Sequence, residues 1–432
     1  MDTLKKLARS VREYKKLSII TPILISMEVV IECIIPFITA TLVNQIKGGC
    51  DLNTIIHYGI ILVVLAFLSL AFGGIAGATC ATAASGFAKN LRKDMFYSIQ
   101  NFSFENIDRF STSSLITRIT TDVTNVQNAY MMLIRTAIRS PLMLTFAFVM
   151  ALVMGGRMAW ILLVVVPILA IGLGVVIYKA FPLFRKVFKK YDALNKSIQE
   201  NIKGMRVVKS FVREEYEQKK FEAAAQDVCA DFTKAERIIA LNGPLMQFCL
   251  HVVMVFVLSF GSYTIITTRG LAFDIGQFSA ILTYNFMILS SLMMLSMVFV
   301  MITLAGESAK RIVEVLDEKS TLTNPENPVY SVKDGSISFE NVSFKYSATA
   351  ERMVLSNINL QIQSGETIGI IGGTGASKST LVQLIPRLYD ATEGVVKVGG
   401  VDVRQYDLDT LRNQVAVGVQ VVLSDKIGRA HV

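Results

Sequence analysis

Nine consecutive residues, Gly372-Gly373-Thr374-Gly375-Ala376-Ser377-Lys378-Ser379-Thr380, carry the clearest chemistry in the chain. Glycines let the backbone turn so that successive N–H groups converge on an anion, and the Lys-Ser pair behind them adds an ammonium and a hydroxyl. Ahead of the loop, Thr367 to Gly372 is a mostly apolar run that predicts a buried strand. Behind it, Leu381, Leu384, Ile385 and Leu388 recur at helical spacing. Strand, glycine-rich loop, Lys-Ser and helix, in that order, predict a phosphate-binding loop. Lys378 would reach the terminal phosphates of a nucleotide and Ser379 would ligate Mg2+. One position departs: the pattern GxxxxGK(S/T) places glycine before the lysine, and Ser377 stands there.

A second set of reactive groups sits in apolar surroundings. Glu28 and Glu32 lie four residues apart in one long apolar run, and Arg135 and Arg139 lie four apart in another. Charge at such positions is costly and faces a partner or an aqueous cavity. Counted from the adjoining turns, Glu32 and Arg139 sit at ~21 and ~24 Å, and Glu28 and Arg135 at ~27 and ~30 Å. The matched depths predict that Glu28/Glu32 pair with Arg135/Arg139 or share one cavity. Such a group serves as a fixed tie between helices or as a substrate or proton site.

The elements that hold these groups follow from composition. Of 432 residues, 52% are hydrophobic and 18% charged, against about 25% charged in soluble domains. Mean hydropathy is +0.49. These values exclude a disordered chain and argue against a fully soluble enzyme. Six apolar runs are long enough to span a bilayer, near 17–46, 55–85, 133–155, 158–181, 241–267 and 277–305. Short turns at Lys47–Asp51, Gly155–Arg157 and Thr268–Gly270 join them in pairs, and the connections 86–132 and 182–240 are long and polar. The short turns carry only Lys47, Arg157 and Arg269, whereas thirteen Lys and Arg residues fall between Arg185 and Arg237. Positive charge favours the cytoplasm, so the N-terminus, both long connections and the C-terminal part are expected inside. Residues 1–16 read as a basic amphipathic helix on the membrane surface.

The long connections read as helices that continue the spans into the cytoplasm, with turns at 104–121 and 200–211. Residues 317–332 form a polar, proline-containing linker. Beyond it, 337–344 and 360–363 alternate apolar and polar residues as strands do. The net charge of +9 arises mainly in the arms, which sets aside a nucleic-acid-binding protein. Cys33, Cys50, Cys80, Cys229 and Cys249 show no metal or disulfide spacing and read as small apolar fillers. Gly73 and Gly77 form a GxxxG that suits close helix packing.

With these residues in place, the chain resembles the ATP-binding cassette exporters of the multidrug and lipid-flippase type, over almost its whole length. Tyr346, in Phe344-Lys345-Tyr346, resembles the aromatic on which that family stacks adenine. Gly372 to Thr380 resembles its Walker A loop. Gln420 falls where the family has a glutamine that senses Mg2+ and the attacking water. The turns at 104–121 and 200–211 resemble its two coupling helices.

The resemblance implies a membrane all-α six-helix exporter domain with long cytoplasmic helical extensions, followed by a partial α/β P-loop nucleotide-binding domain. The expected divisions are 1–16 interfacial helix, 17–316 six-span domain, 317–332 linker and 333–426 partial ATP-binding domain. It implies a half-transporter that dimerises with an identical or paralogous chain in the cytoplasmic membrane, contacts membrane lipid, and uses ATP and Mg2+ to export an amphiphilic small molecule, lipid or peptide. No role for nucleic acid follows. A Walker B Asp-Glu, an LSGGQ-type signature and a switch histidine are not found in the sequence, so hydrolysis is assigned to a complete parent. The last residues, Ile427 to Val432, can be written in codons that match a sequencing-adapter string, and residues 427–432 are expected to be read-through. The alternative is a nucleotide-regulated membrane protein without hydrolysis.

Overall fold

The computed structural model describes residues 2–417 apart from Ala272, Ala348, Thr349 and Thr374. Gln420 and the tail at 427–432 lie outside the described residues. The chain divides into two compact units. One contains the residues up to Leu91 and those from Asp122 to Lys310, and the other contains Arg92–Thr121 and the residues from Arg311 onward.

The first unit is helical because its sequence is a succession of long apolar runs with breakers only at the turns. It opens with α1 (Asp2–Ala8) and a 3-10 stretch, Arg9–Tyr14. The single basic helix expected over 1–16 is therefore two short pieces, and Arg12 (φ 42°, ψ −117°) breaks the helical path. Leu7 and Val11 are buried, and Asn90 Nδ2 donates to the Ser10 carbonyl at 3.1 Å.

The apolar runs become α2 (Lys15–Lys47), α3 (Leu52–Gln100), α7 (Thr136–Gly155), α8 (Trp160–Lys203) and α13 (Ile275–Asp317), with the fifth divided into α11 (Asn242–Phe256) and α12 (Ser262–Thr268). Between these lie α4 (Phe104–Phe110), α5 (Thr112–Thr117), α6 (Val123–Ile134), α9 (Met205–Ser210) and α10 (Glu214–Ile239). Among the described residues, five continuous helical stretches are long and apolar enough to cross a bilayer. One of them, Thr112–Phe184, holds both the third and the fourth expected runs. It is broken at Gly156, whose φ of +49° suits a residue without a Cβ. The 49 residues of α3 extend ~74 Å at 1.5 Å per residue, against ~30 Å of hydrocarbon.

The core of this unit gathers Ile25 and Val29 of α2, Ala147 of α7, Leu162 and Leu169 of α8, and Ile281 of α13. Tyr284 is fully buried and donates its hydroxyl to the Cys33 carbonyl at 2.7 Å. Outward, Phe67, Leu70 and Ile171 stay exposed, as a lipid-facing surface requires.

The second unit has a four-stranded antiparallel sheet of β1 (Ile337–Phe344), β2 (Leu355–Ile362), β3 (Glu393–Val398) and β4 (Val401–Asp402), in the order β2-β1-β3-β4. Two short helices follow the phosphate loop and β4: α14 (Lys378–Leu384) and α15 (Leu408–Gln414). Phe339, Val342, Phe344, Leu384, Val396 and Tyr406 form the core.

The strand expected at Thr367–Gly372 is not formed. That segment is irregular, with Ile368, Ile370 and Ile371 exposed. The reason is a missing neighbour. A buried parallel strand needs hydrogen-bonded strands on its flanks, and among the described residues none pairs with it. The polar segment read as a linker is fastened instead: Val329 N–H donates to the Gln405 carbonyl at 2.9 Å, and Asp407 N–H to the Val329 carbonyl at 3.1 Å.

Candidate functional sites: a phosphate loop and an intramembrane ion cluster

The phosphate loop lies open to solvent, with Gly372, Gly373, Gly375, Ala376 and Ser379 exposed and Thr380 buried. Lys378 folds back over the loop, and its Nζ donates to the Gly372 and Gly373 carbonyls at 2.5 and 2.9 Å. Its ammonium is thus already above the loop where an anion would rest. Ser377 caps α14 in the left-handed region, φ +60° and ψ +22°. That conformation explains the glycine that the GxxxxGK(S/T) pattern places there, and the serine adopts it despite its Cβ. Gly375 has φ +86°. The donor set suits a nucleotide: backbone N–H groups of a positive-φ loop, one ammonium, and the Ser379 hydroxyl for a Mg2+ ion. Thr374, also expected here, lies outside the described residues.

Tyr346 stands beside this loop. Its hydroxyl shares a hydrogen bond of 2.8 Å with Thr380 Oγ1, and its ring is partly open to solvent. Edge-to-face contacts with Phe344 (4.9 Å) and Tyr389 (5.2 Å) hold the ring upright. Tyr389 in turn donates its hydroxyl to Asp108 Oδ2 of α4 at 2.7 Å. Burial pushes the Tyr389 phenol well above its ordinary range, and the neighbouring Asp108 carboxylate adds to the effect. A continuous path of contacts therefore joins the phosphate-loop helix to α4. Helix α4 is further fastened to the chain that precedes the sheet. Asn106 Nδ2 donates to Glu318 Oε1 at 2.7 Å and Arg109 pairs with Glu318 at 3.0 Å.

In the first unit, α2 and α7 bring three of the four intramembrane charges together. Arg139 Nη1 donates to Glu28 Oε1 at 2.5 Å, and Nη2 donates to Glu32 Oε1 and Oε2 at 2.9 and 2.7 Å. Glu28 is buried, while Glu32 and Arg139 keep side-chain exposures of 25% and 31%. Arg135 does not join them. It is exposed, at the break between α6 and α7 (φ −113°, ψ −73°), and forms no ion pair among the described residues. Its side chain lies against α3, where Nη1 is 3.9 Å from the position a Cβ on Gly77 would take. The backbone is distorted at Arg135 but the helical ladder runs through it, with Arg135 N–H donating to the Met131 carbonyl at 3.2 Å and Arg139 N–H to the Arg135 carbonyl at 3.0 Å, so the two arginines differ in the helix each side chain meets: Arg139 meets α2 and Arg135 meets α3. Gly73 does more than pack helices, because a Cβ there would come within 2.8 Å of Glu28 Oε1.

An apolar cavity of about 460 Å³ opens between α8, the α10–α11 junction and α13. Phe181, Phe184, Met293, Met297 and Phe299 line it, together with Asn242, whose Oδ1 is buried and has no hydrogen-bond partner. Flexible methionines and aromatics with one spare acceptor suit a large, mainly apolar molecule.

Sequence reasoning did not single out Tyr389, Asp108 or Asn242. Tyr389 and Asp108 are 281 positions apart in sequence, and neither belongs to a spaced motif. The one available signal was the aromatic Tyr389 soon after the helical pattern of 381–388.

The sequence pattern of the ABC transporter transmembrane region matches residues 18–305, and that of the ABC transporter family matches residues 355–427. An uncharacterized ABC transporter ATP-binding protein of Bacillus subtilis is 32% identical over 97% of this chain and 72% of its own length. One of Mycobacterium tuberculosis is 31% identical over 94% of this chain and 69% of its own. An ATP-dependent lipid A-core flippase of Aromatoleum aromaticum is 30% identical over 78% of this chain and 55% of that protein.

Proposed function

The chain belongs to the ABC transporter family, and from that premise we propose that it is one half of an ATP-driven exporter. It pairs with a second ABC subunit, identical or paralogous, and moves an amphiphilic small molecule, lipid or peptide across the cytoplasmic membrane by alternating access. The N-terminus and the nucleotide-binding domain face the cytoplasm, in keeping with the Lys and Arg excess of the arms.

The observation that carries this reading is the open loop with Lys378 poised over it, in one compact unit with α4. Lys378 would exchange the carbonyls of Gly372 and Gly373 for phosphate oxygens, Ser379 would hold Mg2+, and the Tyr346 ring would take the base. In the complete parent, bound ATP would supply free energy through hydrolysis. Because Tyr346 touches Tyr389 and Tyr389 holds Asp108, a shift of Tyr346 is passed to α4 and the chain that follows it. Ligand that favours one arrangement then shifts the population between inward and outward access. The flippase relative supports a lipid-like cargo, as does the apolar cavity with the spare acceptor of Asn242.

Lys378→Ala tests the proposal. In membrane vesicles carrying the full-length version it should abolish photolabelling by azido-ATP and nucleotide-stimulated transport, while leaving the helical content intact. Unchanged transport would sink the mechanism.

A further inference from the structure

The N-terminal strap, α1 with the 3-10 stretch Arg9–Tyr14, is docked on α3. Asn90 of α3 is buried, and its Nδ2 donates to the Ser10 carbonyl at 3.1 Å and to Glu13 Oε2 at 3.2 Å. These contacts fall on either side of Arg12, whose φ of 42° is rare for a residue with a Cβ and persists only where neighbours fix it. The Tyr14 ring lies so close to α3 that a Cβ on Gly86 would collide with it. Ser18 Oγ then donates to the Tyr14 carbonyl at 2.9 Å and shares a 2.6 Å hydrogen bond with the Tyr130 hydroxyl of α6. With Leu7 and Val11 also buried, the strap turns its apolar side inward and follows a fixed path.

What docking leaves outward is positive. Residues 1–16 hold six Lys and Arg against Asp2 and Glu13. Lys5, Arg9, Lys15 and Lys16 are exposed, and so is Lys89 of α3. Lys89 and Arg12 lie near enough to Glu13 to act on its carboxylate, which joins the α3 lysine to the charges of the strap. The cluster also adjoins an apolar surface. Lys15 and Lys16 open α2, and Ile19, Ile20 and Ile23 beyond them are exposed. Exposed apolar side chains on a spanning helix face acyl chains, so these cations stand at the height of lipid phosphates. Leu4, exposed beside Lys5, offers an acyl chain a further contact. A soluble polyanion would meet the charges but make no use of the apolar surface next to them.

We propose that the docked strap and Lys89 form a binding surface for acidic phospholipids, with a phosphodiester headgroup among Arg9, Lys15, Lys16 and Lys89 and acyl chains along Ile19 and Ile23. This surface is separate from the phosphate loop, and its occupation does not depend on the export reading.

The test uses the full chain in phosphatidylcholine nanodiscs. Leu4→Trp in a Trp160→Phe background places the single tryptophan on the strap. Its quenching is titrated with brominated phosphatidylglycerol and, separately, with brominated phosphatidylcholine, and the two curves give an apparent affinity ratio. The acidic lipid should be preferred, and Arg9→Gln, Lys15→Gln, Lys16→Gln and Lys89→Gln should each lower the ratio about fivefold. Asn90→Ala keeps every charge but releases the strap, so it should lower the ratio as well. Lys89→Gln leaves the docking contacts in place and carries the test if Asn90→Ala does not fold. Neutralising Lys203, Lys209 and Lys219 in the second arm should leave the ratio unchanged, and inorganic phosphate at constant ionic strength should not relieve the quenching. Equal quenching by the two lipids overturns the proposal. So does an equal fall when the arm is neutralised, an unchanged ratio in folded Asn90→Ala, or displacement by free phosphate.

Discussion

Replacing Arg139 with methionine leaves Glu28 and Glu32 one helical turn apart in α2 with no cation between them. Removing one partner of a buried ion pair costs about 3–5 kcal/mol, chiefly from the charge left behind. Here Glu28 is buried, but a quarter of the Glu32 side chain reaches solvent, so we expect a value near the low end, about 3 kcal/mol. The triple variant Arg139→Met, Glu28→Gln, Glu32→Gln removes all three charges with little change in volume. It should return to within about 1 kcal/mol of the wild type, because a neutral replacement escapes the desolvation penalty. Titration of the reconstituted protein with sodium dodecyl sulfate, followed by far-ultraviolet circular dichroism, reads both numbers. The reasoning fails if the single variant unfolds like the wild type, or if the triple variant is no more stable than the single one.

Three further outcomes are expected. Ser377→Gly should stabilise the nucleotide domain by about 0.5–1 kcal/mol, since a side chain at φ +60° costs about 1–2 kcal/mol and glycine returns part of that as chain entropy; a lower melting temperature would contradict the left-handed cap. Tyr389→Phe removes only the hydroxyl on Asp108 and should cost about 1 kcal/mol. It should also weaken nucleotide stimulation of transport with azido-ATP labelling unchanged, and parallel loss of labelling would refute the contact path. Asp407 caps α15 by accepting from Thr410 N–H at 2.9 Å, which holds its carboxyl below the usual range. Its stabilising effect is therefore present above about pH 3.9 and lost as pH falls through the lowered folded value, and Asp407→Ala should flatten that limb of an acid unfolding curve.

Much of the architecture was legible in the residues because the signals are local. Apolar runs of spanning length, glycines at the turns and the alternation of 337–344 each act within a few residues, and the helices and β1 follow them. The phosphate loop was legible for the same reason: a spaced motif states its own chemistry. The segment 367–372 reads as a buried strand on composition, yet a strand is stabilised by its neighbours, and composition does not supply them.

The two charged pairs mark the boundary most clearly. Sequence alone determined that Glu28, Glu32, Arg135 and Arg139 lie at matched depths in apolar helices, since depth is a count of residues along a helix. Only the tertiary structure decided that Arg139 serves both glutamates while Arg135 lies beside Gly77 of α3, because the partner of each side chain depends on which helix packs against it. The same holds for Tyr389 and Asp108. A hydrogen bond across 281 positions depends on how distant segments pack, and no local pattern records it.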